Sequence, residues 1–302
     1  MAQETKPSAH WKHWATIGLI TLLFVLLFYE LAKTWKRIPF EKLHFDPVHL
    51  LLSYGLLFVS SACGIEGWRR ILKTSGEKVT FRQAFRLIGR TILAKYLPGK
   101  FWFVVGRVYL GKAEAFSQQR VAVASVFEEV LLLLSAGLML ILIELPLLVS
   151  QFTYLLATLI TVMGGGLLLL HPRVIQGLLG VVMRVLKRNP VQVGGRYRDY
   201  LGITLVYLLG WLAQGMGFFF LCRMIYPLPW TSVSSVVGAY TLSWVVGLLA
   251  FFVPGGLGIR EGTLSVALGG LLTGPLSILL SLVSRLWITL YELLFAVIAF
   301  KV

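Results

Sequence analysis

Charged side chains stand where apolar sequence would be expected to exclude them. Glu128 and Glu129 lie about two turns into the stretch Val121 to Ile143, and Arg285 and Glu292 lie inside Leu276 to Phe300. An isolated charge in hydrocarbon is costly, so each of these needs a partner, water or protonation. Two proline-glycine breaks carry further charges: Pro98, Gly99 and Lys100 lead to Arg107, and Pro254, Gly255, Gly256 and Gly258 lead to Arg260 and Glu261. Glycines let backbone amides come close to a bound oxygen, and a helix that starts just after them offers unpaired N–H groups to an anion. Lys100, Arg107 and Arg260 are thus candidate phosphate contacts. The plainer alternative is a tight loop whose cations pair with Glu261 or with lipid headgroups.

The elements that must hold these residues follow from composition. The chain has 302 residues, 57% of them hydrophobic and 14% charged, with a mean hydropathy of +0.81. That is more apolar surface than one soluble core of this length hides, and it predicts an all-α polytopic membrane protein. Six stretches are long enough to span: Ala15 to Leu31, Val48 to Ile65, Val121 to Ile143, Phe152 to Leu170, Leu201 to Leu221 and Leu276 to Phe300. The first follows Lys6 and Lys12 but precedes Lys33, Lys36 and Arg37 with no small-residue cleavage site, so it reads as a retained helix. Two further regions, Ala84 to Val105 and Val233 to Leu272, are interrupted at the breaks. The first is too charged to face lipid. In the second, Val233 to Val253 is long enough to span, but Thr263 to Leu272 reaches only about 15 Å, which suits a re-entrant half-helix.

Ala94 and Ala250, Pro98 and Pro254, Gly99 and Gly255, and Gly106 and Gly262 all fall at a common offset of 156 residues. The same offset carries the span before and the span after the first break onto their counterparts around the second. Span, broken hairpin, span therefore occurs twice, with pseudo-repeats of about 15–145 and 152–300 in one membrane domain of residues 15–302. It also sets Glu129 against Arg285, which suggests a central ion pair. Hydration of Glu128 and Glu129 near an interface is the alternative, since Arg120 is close by. Glu292 lies two turns beyond Arg285 on the same helical face, which should look into the protein.

A cytoplasmic amino-terminal tail of residues 1–14, with both breaks returning to the side they entered, gathers most lysines and arginines inside. Arg69, Arg70, Lys73, Lys78, Arg82, Arg86 and Arg90 outweigh the external Lys33, Lys36, Arg37 and Lys42. Both termini are then cytoplasmic and the two hairpins are inverted, the plan of alternating-access transporters. Most of the net charge of +15 follows from this orientation. Arg173 to Arg188 separates Val174, Leu178, Val181 and Val185 from Arg184, Lys187 and Arg188, as an interfacial helix on anionic lipid would. Nucleic-acid binding is not expected, for want of a soluble domain to display the charge. No Gly-x-x-x-x-Gly-Lys-Ser/Thr loop occurs, and Cys63, Cys222 and the five histidines form no metal or nucleophile set. No cofactor, metal or enzymatic activity is expected.

Ala94 to Lys100 with Gly106 and Arg107, Ser125 to Glu129, Val253 to Gly262, and Arg285 together resemble the lysylphosphatidylglycerol synthase transmembrane-region family, also described as flippase-like. The resemblance covers about residues 15 to 300. It implies an integral protein of the cytoplasmic (inner) membrane associated with translocating lipids or lipid-linked sugars. Many members carry Glu-Arg where this chain has Glu129-Val130, so no role of that arginine transfers. Aminoacyl-transferring members place a soluble catalytic domain after the membrane part, and none follows Val302 here, so synthase activity is expected to be absent. The expected function is translocation of an anionic phospholipid or polyprenyl-phosphate-linked lipid. A non-transporting partner of a glycosyltransferase or lipid synthase is the competing class.

Overall fold

The computed structural model of the chain describes residues 21–22, 25–33, 35–97, 101–151, 164–166, 171, 173–174, 176–177, 194–250 and 253–302. The spans expected at Ala15 to Leu31 and Phe152 to Leu170 lie mostly outside these residues. So do residues 1–14, most of Arg173 to Arg188, and Pro98, Gly99 and Lys100.

The long elements are α1 (Pro47–Thr74), α4 (Gln118–Gln151), α5 (Tyr197–Ile225), α6 (Val233–Leu249) and α8 (Gly274–Lys301). The short ones are α2 (Phe81–Thr91), α3 (Trp102–Ala113) and α7 (Ile259–Leu268). Five helices among the described residues are long and apolar enough to cross a membrane: Pro47–Thr74, Gln118–Ile143, Tyr197–Ile225, Trp230–Leu249 and Gly274–Lys301. Four of them contain expected spans, and the fifth is the upstream arm of the second broken region. The protein is an α-helical multi-pass membrane protein. Its backbone polar groups are satisfied within helices, as hydrocarbon requires.

Local signals set the helix ends. Asp46 caps α1 by accepting from the Val48 amide at 2.9 Å, and its hydrogen bond with His49 holds its carboxyl below the usual value. Thr80 and Gln83 form a reciprocal capping box at α2. Gly255, Gly256 and Gly258 have φ of 59°, 65° and 79°, a region open to glycine and strained for other residues. Helix α7 therefore starts at Ile259, immediately after the last of them, and ends before Gly269 and Gly270. It is one turn earlier than the sequence expectation of Thr263 to Leu272.

The connections define two ends of the bundle. At one, Glu77 receives the Ser117 amide at 3.2 Å and Arg120 at 3.3 Å, Arg86 pairs with Glu114, and Arg82 donates to the Val302 carbonyl at 3.1 Å. At the other, the His44 and Asp46 amides donate to the carbonyls of Ile225 and Met224. Both outer ends of the α2–α3 segment lie at the first end. Helix α6 starts at the second, where Arg223 stacks over Trp230 at 4.7 Å. Helix α8 finishes at the first end, so α7 returns the chain to the second.

Helices α1 and α5 share the most extensive contact, and small residues make it possible. The Gly67 Cα faces the Tyr207 ring, Gly210 faces Cys63 and Ser60, and Gly217 lies against the Ser53 carbonyl and Trp287. Side chains at these glycines would wedge the helices apart. Gly67→Leu should lower stability by about 1–3 kcal/mol through overpacking. Gly55→Leu, where the space around the Cβ is open, should leave it unchanged; thermal unfolding in detergent compares the two.

Candidate functional site

The turn that leads into the first break meets the turn at the second. Ile92–Tyr96 forms a 3-10 turn at the end of α2, and Pro254–Gly256 forms another between α6 and α7. A Cβ built on Gly255 would lie 2.8 Å from the Tyr96 ring and 3.3 Å from Arg285 Nη2, so only glycine lets the turns approach this closely. Arg285 joins them: its guanidinium lies 5.2 Å from the Tyr96 ring centroid, and its Nη1 donates to the Gly255 carbonyl at 3.3 Å.

The carboxylates then sort themselves among the cations. Glu261 faces Arg285 Nη1 at 3.4 Å and accepts the Gly258 amide at 2.5 Å through its other oxygen. Glu292 pairs with Lys95 and accepts the Tyr96 hydroxyl at 2.8 Å. Glu128 pairs with Arg107, whose guanidinium also lies 5.1 Å from the Trp68 ring and 5.2 Å from the Phe103 ring. Trp68 is in turn held by a hydrogen bond to Ser125 Oγ at 3.3 Å. Arg107, Glu128, Glu261, Arg285 and Glu292 are each 8% exposed or less, so the Arg107–Glu128 and Arg285–Glu261 pairs are shielded from solvent screening, whereas the Lys95 side chain is 34% exposed.

The pairing corrects one sequence expectation. Arg285 takes Glu261, not Glu129, as its carboxylate, because the second break delivers Glu261 from the first turn of α7 directly beside it. Glu129 instead lines a cavity of about 550 Å³ together with Lys95, Arg107, Glu128 and Arg260. Ile88, Phe103, Leu132 and Trp244 supply apolar wall, and Phe101 and Val126, also in the lining, are 70% and 49% exposed. The cavity therefore opens at the surface of the bundle. Gly255 and Gly256 form part of its wall, which puts the second break at the cavity itself.

The expected inward face of α8 is present, since Arg285 and Glu292 are both buried. Sequence reasoning gave no site role to Lys95 and Tyr96, which complete Glu292, or to Trp244 on the cavity wall. The signal for Lys95 lay in Glu292: a buried carboxylate whose neighbouring cation is taken elsewhere needs another one.

A charged cavity open at the bundle surface is thus built from segments that carried the sequence resemblance. The family's model, described as lysylphosphatidylglycerol synthase TM region, matches residues 14–296. The chain belongs to this family. No curated protein matches it. Every described residue assigned to the cavity or the pairs falls within the stretch matched to the lysylphosphatidylglycerol synthase TM region.

Removing one partner of a buried pair strands the other, at about 3–5 kcal/mol. Arg107→Met and Glu128→Met should each destabilise on that scale, and the double variant should lose clearly less than the sum. A double-mutant cycle on unfolding in detergent measures the coupling.

Proposed function

We propose that this protein is a lipid translocase of the cytoplasmic membrane. It carries an anionic phospholipid or polyprenyl-phosphate-linked headgroup through the central cavity while the tails remain in the bilayer. No bond is made or broken. The observation that carries this reading is the cavity of about 550 Å³, charged at its centre and apolar at a mouth that includes Phe101 and Val126. A volume of that order suits a small polar ligand, and an apolar lateral mouth suits the tails attached to it.

An inverted repeat is consistent with the geometry. Helices α4 and α8 begin at Gln118 and Gly274, positions related by the sequence offset, and α3 and α7 begin at Trp102 and Ile259, within one residue of it. In each half the short helix after the break is tied to the long helix that follows, with the charges exchanged: Arg107 to Glu128 in the first, Glu261 to Arg285 in the second. The broken segments enter from opposite ends, as alternating access between two half-sites requires. The end bearing Lys73, Lys78, Arg82, Arg86, Lys112, Arg120 and Lys301 is assigned to the cytoplasm, together with both termini. A non-transporting partner of a glycosyltransferase or lipid synthase would need the basic surface but not the cavity.

Purified protein in liposomes should move labelled phosphatidylglycerol or a labelled polyprenyl phosphate between leaflets faster than empty vesicles do. Gly255→Val, which collides with Tyr96 and disfavours the positive φ, should slow that movement at least tenfold. Failure of the unmodified protein to accelerate either lipid would leave the partner reading in its place.

A further inference from the structure

Three cations line the central cavity among the described residues, Lys95, Arg107 and Arg260, and they are not equivalent. Lys95 is tied to Glu292 and Arg107 to Glu128. Arg260 makes no ion pair or hydrogen bond with any described residue; its guanidinium only lies near the Tyr240 ring, at 5.9 Å. Its stem runs through a slot between two glycines. A Cβ at Gly247 would collide with the Arg260 side chain, and one at Gly256 would lie 3.0 Å from its Cγ and Cδ. The slot holds the stem, and Arg260 lines both the cavity and a small internal pocket beside it with Tyr240, Glu261 and Arg285.

We propose that Arg260 is the phosphate receptor of this cavity and that the site takes a lipid headgroup with a single phosphate. This deepens the translocase reading and rests on it for the movement of the lipid. A guanidinium forms charge-assisted, often bidentate hydrogen bonds to a phosphate. One such group matches one phosphate. A diphosphate would need a second cation; among the described residues of the cavity that is Lys95 or Arg107, and recruiting either would strand Glu292 or Glu128, which are 3% and 5% exposed. The added negative charge would also face Glu128 and Glu129 on the same wall. The cavity selects against a second phosphate through its carboxylates as well as for the first through Arg260.

Equilibrium binding to the full-length protein in neutral detergent tests this with short-chain probes: dioctanoyl phosphatidylglycerol, an isoprenyl monophosphate, the matching isoprenyl diphosphate, and dioctanoylglycerol. The two monophosphates should bind at least tenfold more tightly than the diphosphate. Arg260→Gln should weaken the monophosphates at least tenfold and leave dioctanoylglycerol unchanged, which also reports that the variant is folded. Arg260→Lys should restore part of the loss. Gly247→Ala, which displaces the stem while keeping the charge, should weaken monophosphate binding in the same direction. Inorganic phosphate at the same concentration should not displace the lipids; displacement would make this a free-phosphate site and overturn the lipid assignment. Unchanged affinity in Arg260→Gln, or preference for the diphosphate, would overturn the receptor assignment. Binding that depends on Arg260 without lipid movement in liposomes would remove the translocase reading alone, and movement indifferent to Arg260→Gln would remove the receptor alone.

Discussion

Backbone that leaves helical geometry inside a bilayer must find its hydrogen bonds in protein, and in this chain one guanidinium both supplies such a bond and ties the surrounding groups together. Arg285 donates to the Gly255 carbonyl at the second break and lies over the ring of Tyr96 at the first. Its own charge is balanced by Glu261, which in turn receives the Gly258 amide. Break, cation, carboxylate and the amino end of α7 thus form one closed set of interactions. Glycine at 255 is a condition of that set, because a Cβ there would meet both Tyr96 and Arg285. The two interrupted segments hold each other in place, so neither can be understood as a local defect in its own helix.

The remaining charges follow from the same economy. A buried carboxylate without a cation is strongly unfavourable, and a buried pair at best roughly offsets its desolvation. Replacing such pairs by apolar residues would often be neutral for stability, so their presence points to something other than stability. Here they ring a cavity. Lys95 with Glu292 joins the first break to α8, and Arg107 with Glu128 joins α3 to α4. Each pair bridges a short broken element and a long helix. Pairs so placed tie each short element to the long helix beside it.

The fold was legible in the sequence wherever helix length and hydropathy decide it. Four of the expected spans appear as long helices, and the second break appears as a 3-10 turn between α6 and the short α7. The start of α7 was misjudged by a turn because a hydropathy reading looks for apolar residues, whereas the helix begins where the positive φ of Gly258 ends, at the polar Arg260-Glu261 turn. The site was legible as a set of residues but not as a set of pairs. Register under the repeat sets Glu129 opposite Arg285, and that logic holds for backbones related by symmetry. Side chains answer to the nearest opposite charge. Glu261 enters from the break itself, a position with no charged counterpart at the repeat offset, where Val105 stands. Lys95 was hidden for a similar reason: in sequence it is one of many basic residues near an interface, and only the fold carries it to Glu292.

What distinguishes Arg260 is therefore a consequence of where the carboxylates went. Glu261, its neighbour in the chain, is the obvious partner, but successive residues on a helix point in different directions. Glu261 turns back to Gly258 and Arg285, while the Arg260 stem lies between Gly247 and Gly256, both beside the cavity that Arg260 helps to line. A side chain at either glycine would close that route. The glycine-rich break thus does two things at once: it permits the close contact with Tyr96, and it clears the slot that holds the Arg260 stem, a cation with no ion pair among the described residues. A protein that needed only to bend its helix at this point would have no use for the second.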